Sequence, residues 1–392
     1  MSVLRLADPA AALAFARDEL VRLIEIPSFS DEEHAIVDHV ERRCGELDVP
    51  SRRQPVDGSA DNLVIGWSER PELLLTAHLD TIRPTWDFEP RAEVRGDRLH
   101  GLGALDDKSG VVACLLGLLL ARDAGVPVES LPVAVGLCVD EEVDGKGSIA
   151  MAEELRPRFV VGVEGTGLEL GLAEAGFVDV WYTVRGTSVH GAFREDGDNA
   201  IEKAVRFVNA VHAAPLANVV HPILGRSIPF VWEFHGGQDL NVVPDVARLR
   251  IDVRVVPGMA AADVQAALEE LSLAYDAEME LVEPAVEPFE TPRDAPLARA
   301  MAAAVGRATG RVPGVTGVQC WTDTHNFVDL CGAQAVVFGP GHLLEAHRPD
   351  ESVDLRDVVA CGRAFAEVLA GAERLLGEVR RCPGGSRISS TV

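Results

Sequence analysis

Short apolar runs that each lead into a histidine or an acid constrain this chain more than any other feature. Glu72 to Ala77 leads into His78-Leu79-Asp80, and Pro132 to Val139 into Asp140-Glu141-Glu142. Phe159 to Val163 leads into Glu164, and Ala335 to Phe338 into Gly339-Pro340-Gly341, a few residues before His347. A strand with no polar face is buried on both sides. Between helices this predicts an α/β fold with a mostly parallel sheet and helices on both faces. In open sheets of that kind, ligands collect beyond the carboxyl ends of the strands.

The helical pattern agrees. Ala10 to Ile26 is amphipathic. Ser30 followed by Glu33 has the spacing of a capping box opening a helix to about Leu47. Lys108 to Ala124, Ser148 to Leu155, Leu297 to Thr309 and Leu355 to Leu376 complete the helices, and Asn62 to Trp67 adds a strand. Between Phe177 and Val282 the order becomes β-α-β-β-α-β: strands at 177–185, 228–234, 247–256 and 278–282, helices at 199–214 and 260–273. That order is the ferredoxin-like split unit. With 392 residues, 47% of them hydrophobic, the chain exceeds what one core usually holds. The reading is therefore a catalytic domain from 1–174 and 287–380, an inserted α+β domain at 175–286, and a flexible tail at 381–392.

The net charge of −26 repels nucleic acid and anionic membranes, so neither is expected as a partner. The longest apolar stretch, Val111 to Ala121, is too short to span a bilayer, and the start of the chain has no signal-peptide pattern. Seven scattered cysteines without a CxxC pair indicate neither a disulfide framework nor a cysteine zinc site. A reducing cytoplasm is the expected location.

The polar strand ends carry the candidate chemistry. His78 suits a borderline-soft cation, and Asp80, two positions on along a strand, points the same way and can orient its ring. Asp106 and Asp107 follow a glycine-rich loop and precede an apolar helix; they read as a helix cap or as a carboxylate bridging two metals. Three successive acids, Asp140 to Glu142, repel one another unless cations neutralise them. One glutamate there can ligate while its neighbour acts as a base. Two divalent cations bring +4 against −3 from Asp106, Glu142 and Glu164, and metals so paired sit ~3.5–4 Å apart.

These five motifs, in this order, resemble the M20 family of two-metal deacylases, aminoacylases and carboxypeptidases, which includes acetylornithine deacetylase and succinyl-diaminopimelate desuccinylase. The likeness runs from about Ala10 to Leu376. It implies that His78 and Glu164 hold one metal, Glu142 and His347 the other, and that Asp106 bridges them across a cis Asp106–Asp107 peptide. The metals would be zinc, with cobalt or manganese as alternatives. Asp80 would orient His78, and Glu141 would be the general base. The inserted domain becomes a lid and dimerisation domain. His190, in Gly186-Thr187-Ser188-Val189-His190, would donate to the oxyanion, reaching the site from the partner in homodimeric relatives. Asn241, Arg254, Thr322 and Gly341 match substrate-binding positions. Leu102 departs from the pattern, since many relatives carry arginine there. The implied activity is amide hydrolysis of an N-acyl amino acid, as by acetylornithine deacetylase. The rivals are a dipeptidase or carboxypeptidase acting on short peptides, or a non-catalytic binding protein on the same fold.

Overall fold

The computed structural model describes residues 6–237 and 241–380, and these form two compact units. The first comprises residues up to Leu172, Thr291–Thr316 and the chain from Thr322 onward; the second comprises Ala173–Glu290 and Gly317–Trp321. The tail expected at 381–392 lies outside the described residues.

The apolar runs form the centre of the first unit. Strands β1 (Leu73–His78), β2 (Val133–Cys138), β3 (Phe159–Gly162) and β4 (Gln334–Val337) pair in parallel in the order β2-β1-β3-β4. Outside them the pairing is antiparallel: Asn62–Ile65 lies along β2, and Gly171 pairs with Val337 of β4. Alternate residues enter different cores. Leu73 and Leu75 pack with α1 (Lys108–Asp123) and α2 (Leu355–Ala370), while Leu74 packs with Met151 and Phe327 on the other face. Each such leucine contributes roughly 1.5–3 kcal/mol by leaving water. This double burial is why the strands lack a polar face.

α1 is buried on nearly every side. It crosses α2 so closely that a Cβ placed on Gly117 would lie 2.6 Å from Phe365 Cβ and 3.0 Å from the Gly362 carbonyl oxygen. Because the central strands are parallel, His78, the Asp140–Glu142 run, Glu164 and the loop after Val337 all emerge at one edge of the sheet.

Three local expectations change. The helix expected over Leu355–Leu376 is two, Leu355–Ala370 and Ala372–Arg380, separated at Gly371, a residue that adds nothing to helix stability. The Ser30/Glu33 capping box does not form. The helix runs His34–Glu46, Asp31 turns the chain at φ 70°, and Ser30 donates its hydroxyl to Asp80 instead. A short charged hairpin, Glu93–Arg95 with Arg98–His100, pairs with Ser352–Asp354 in segments that carry no strand pattern.

In the second unit, strands Pro229–Gly236, Val246–Val255, Gly176–Arg185 and Ala277–Leu281 form, in that order, an antiparallel sheet. Helices Ala200–Ala213 and Ala261–Ala274 supply Phe207, Val264 and Leu268 to a core shared with Val180, Tyr182, Leu249 and Ile251. Asn199 caps the first of these helices by accepting from the amides of Ile201 and Glu202. Among the described residues, no helix is long and apolar enough to cross a membrane.

Candidate metal centre

Five side chains from distant parts of the chain meet at the carboxyl edge of the parallel strands. His78, Asp106 and Glu164 form one group of possible ligands, and Asp106, Glu142 and His347 a second; within each group the ligand atoms lie within 4.8 Å of one another. Asp106 belongs to both. Its Oδ1 is 2.9 Å from His78 Nε2 and its Oδ2 is 3.2 Å from His347 Nε2. Glu164 Oε1 is 3.9 Å from His78 Nε2, and Glu142 Oε1 is 2.9 Å from His347 Nε2. The Asp106–Asp107 peptide is cis. His78, Asp106 and Glu164 are buried, Glu142 is half-buried and His347 is exposed, so one half of the centre is closed and the other open to solvent.

Asp80 organises both halves. One oxygen lies 3.2 Å from His78 Nδ1 and accepts the Glu141 amide at 3.1 Å; the other accepts the Glu142 amide at 3.0 Å and the Ser30 hydroxyl at 2.8 Å. With the Asp80 carbonyl oxygen also 3.1 Å away, Nδ1 of His78 is protonated. Although burial opposes it, Glu141, Asp106 and Asp80 hold the ring well above the usual histidine range, so Nε2 also carries a proton, which it donates to Asp106 at 2.9 Å; exchanging that proton for a cation leaves the lone pair a metal-ligating histidine requires. The Asp140–Glu142 turn is held from behind as well, since Glu33 accepts the Asp140 amide at 3.0 Å.

The charge balance of these groups fits cations. Burial pushes the Glu164 carboxyl well up, reinforced by Asp106. Burial also pushes Glu141 well up, with Asp323, Glu142 and Asp106 adding repulsion. Asp106, although buried, is driven well below the usual range by His347 and His78. His347 is raised to about 10 by its bonds to Asp106 and Glu142. Protons thus neutralise a crowd of carboxylates at the points where two divalent ions would do so, and the donor set of imidazole and carboxylate suits zinc or its neighbours. Glu141 is half-buried and keeps its carboxylate out of these hydrogen bonds.

Supporting groups escaped the sequence reading. Lys108 is buried beneath the Asp106 loop and donates to the carbonyls of Leu23 and Ile26 at 3.0 and 2.9 Å; burial lowers its amine to about 7. Glu351 is 2% exposed, and burial raises its carboxyl to about 7. Buried Asp323 is likewise raised to about 7. A buried charge leaves no periodic mark in a sequence, although Glu351 stands in the same short run as His347.

The remaining candidates are placed as follows. Thr322 is buried and caps helix Asp323–Cys331 by accepting the Thr324 amide. Gly341 adopts φ 70°, and a Cβ there would meet Leu105 at 2.6 Å. Leu102, where arginine was the usual residue, is 8% exposed. His190, Asn241 and Arg254 lie in the second unit. There His190 bridges to Val242, and the Gly191 amide bonds the carbonyl of Asn241, which adopts φ 70°. His190 Nδ1 accepts the Ala192 amide at 3.1 Å, which places its proton on Nε2. Arg254 pairs with Asp252 at 3.0 Å.

Comparisons with known proteins point to one family. The profile of peptidase family M20/M25/M40 matches residues 74–371. An acetylornithine deacetylase of Myxococcus xanthus is 29% identical over 314 residues, covering 77% of this chain and 80% of that protein. Among solved structures, aminopeptidase PepT from Bacillus cereus aligns with a TM-score of 0.78 at 16% identity, over 92% of this chain and 99% of its own. The Bacillus subtilis YXEP protein, described as a dinuclear metal binding peptidase, aligns with a TM-score of 0.67 at 15% identity, over 93% and 98% of the two chains.

Proposed function

The chain belongs to peptidase family M20/M25/M40 and is a hydrolase of amide bonds; from that premise we propose that it deacylates an N-acyl amino acid, as an acetylornithine deacetylase does, using two divalent cations, zinc by preference. The observation that carries this reading is the position of Asp106, with one carboxylate oxygen facing His78 and the other facing His347. His78 and Glu164 would hold one ion, Glu142 and His347 the other, and Asp106 both. Cobalt or manganese would suit the same donors.

When bound, the ions would polarise the scissile carbonyl and acidify the attacking water. Glu141 takes the proton from that water and delivers it to the departing nitrogen, because an amine anion is too poor a leaving group to go unaided. His190 donates its Nε2 proton to the oxyanion, a polarity supported by the Ala192 amide on its other nitrogen. Arg254 would engage a substrate carboxylate through its planar fork, with Asn241, Thr322 and Gly341 shaping the remainder of the substrate site. The second unit serves as lid and dimerisation domain. In support, its edge strand Pro229–Gly236 exposes Phe230, Trp232 and Phe234, apolar side chains that a second copy would cover. Cys44, Cys114, Cys138 and Cys361 are buried thiols outside any disulfide, as a cytoplasmic location would keep them.

The test is reconstitution. Chelator-stripped protein is reloaded with zinc, cobalt or manganese and assayed on acetylornithine, succinyl-diaminopimelate, acylated glutamates and dipeptides. Metal-dependent release of the acyl acid is expected. Cleavage of dipeptides alone would make it a dipeptidase or carboxypeptidase, and activity indifferent to chelation would reject the metal centre.

A further inference from the structure

Glu351 lies outside the ligand set, yet its carboxylate is directed at the backbone that carries Asp106. Its Oε1 accepts the Leu105 amide at 2.9 Å and the Asp106 amide at 3.3 Å. Its main-chain oxygen accepts the Gly101 amide at 3.1 Å, so both ends of the Gly101–Asp106 loop are fastened to one residue. At its other side, the Glu351 amide bonds the Arg348 carbonyl at 3.1 Å, closing the turn that follows His347, itself at φ 59°. The side chain is 2% exposed, so water does not compete for these bonds.

We propose that Glu351 is a positioning residue that joins the loop bearing Asp106 to the loop bearing His347, and that this connection sets the affinity of the second metal site. The inference rests on the reading of Asp106, Glu142 and His347 as ligands. Physically, Asp106 must present its two oxygens in two directions at once, and its backbone amide is fixed by the same side chain whose own backbone closes the His347 turn. Loss of the carboxylate oxygen frees two buried amides and leaves the Asp106 end of its loop joined to the His347 turn only through the bond at Gly101. The site formed by His78 and Glu164 keeps both of its other ligands on strand ends, so the loss falls on the site shared with His347. Partners that orient metal ligands in this way typically change affinity by ~10–100-fold.

The experiment is calorimetric titration of chelator-stripped full-length protein with zinc, together with circular-dichroism melts of each variant before metal is added. Wild type is expected to take up two ions. E351L keeps the size of the side chain but removes the acceptor; it is expected to bind the first ion normally and the second ~10-fold or more weakly. E351Q retains an oxygen acceptor and is expected to restore the second site. E351D, one methylene shorter, carries the same expectation as E351L if that variant does not fold. A role confined to stability would lower the melting temperature of the variants while leaving both affinities at wild-type values below it, and that result overturns the proposal. Wild-type protein that binds fewer than two ions overturns the ligand reading itself, and this proposal with it.

Discussion

Asp80 accepts the backbone amide of Glu142 at 3.0 Å, so the residue that orients the ring of His78 also seats the loop that presents a ligand of the opposite half. The centre is therefore organised around a side chain that holds no metal in the proposed scheme. Four contacts converge on this one carboxylate, which is 0% exposed.

Replacing Asp80 should accordingly disturb both halves at once. For Asp80→Ala, metal affinity is expected to fall ~10–100-fold, with turnover at saturating metal also reduced. Titration against a chromogenic chelator reads the first, and steady-state kinetics the second. Unchanged affinity would show that His78 and the Glu141–Glu142 turn hold their places without it.

Glu141→Ala separates chemistry from metal binding. Because the Glu141 carboxylate stands apart from the hydrogen bonds among the ligands, two ions should still bind. The turnover number should drop by at least ~10². Metal analysis of the purified variant beside its kcat gives the answer, and wild-type turnover would remove Glu141 from the mechanism.

His190→Ala should lower kcat by ~10²–10³ with a much smaller change in KM, the signature of a donor that acts on charge developing in the transition state. His190→Gln, which also carries an N–H donor, should recover part of the loss. A change confined to KM would mark His190 as a substrate-binding group only.

Glu33 gives a pH-dependent stability with a definite sign. Burial raises its carboxyl from 4.5 to about 7, so the folded protein retains a proton that the unfolded chain releases within that window. The contribution of this group to stability therefore falls as pH rises through the window, and the deficit is complete above about pH 7. Glu33→Gln removes the ionisation while keeping an acceptor for the Asp140 amide. Its melting temperature is expected to exceed that of wild type by ~2 °C or more above the window and to match it below. Differential scanning calorimetry at the two extremes decides; a constant offset at all pH values would assign the effect to packing.

The strand ends were legible because burial on both faces leaves an apolar run whose last residue must change character. His78, Glu142 and Glu164 stand at such boundaries, and the parallel pairing then brings them to one edge. Asp106 and His347 were legible through the resemblance of their motifs, and the structure places them with the other three. Ser30 misled because the spacing of a capping box records which bonds are available locally, whereas its hydroxyl found a stronger acceptor in Asp80. Glu351 went unassigned because it recognises main-chain amides, which every residue but proline offers and no motif encodes. The hairpin at Glu93–His100 was hidden for a related reason: its strands are short, charged and largely exposed, so hydrophobic alternation has nothing to report.

The tight crossing at Gly117 reaches further than its place in the core implies. α1 starts one residue after the Asp106–Asp107 pair and is continuous from there to the crossing, a rod of about 15 Å. With Phe365 and the Gly362 carbonyl filling the space beyond Gly117, a bulkier residue there can be housed only by sliding or tilting that rod. Its far end holds the carboxylate that faces both histidines. The geometry of the centre thus depends on how closely two helices can approach, three turns away from it.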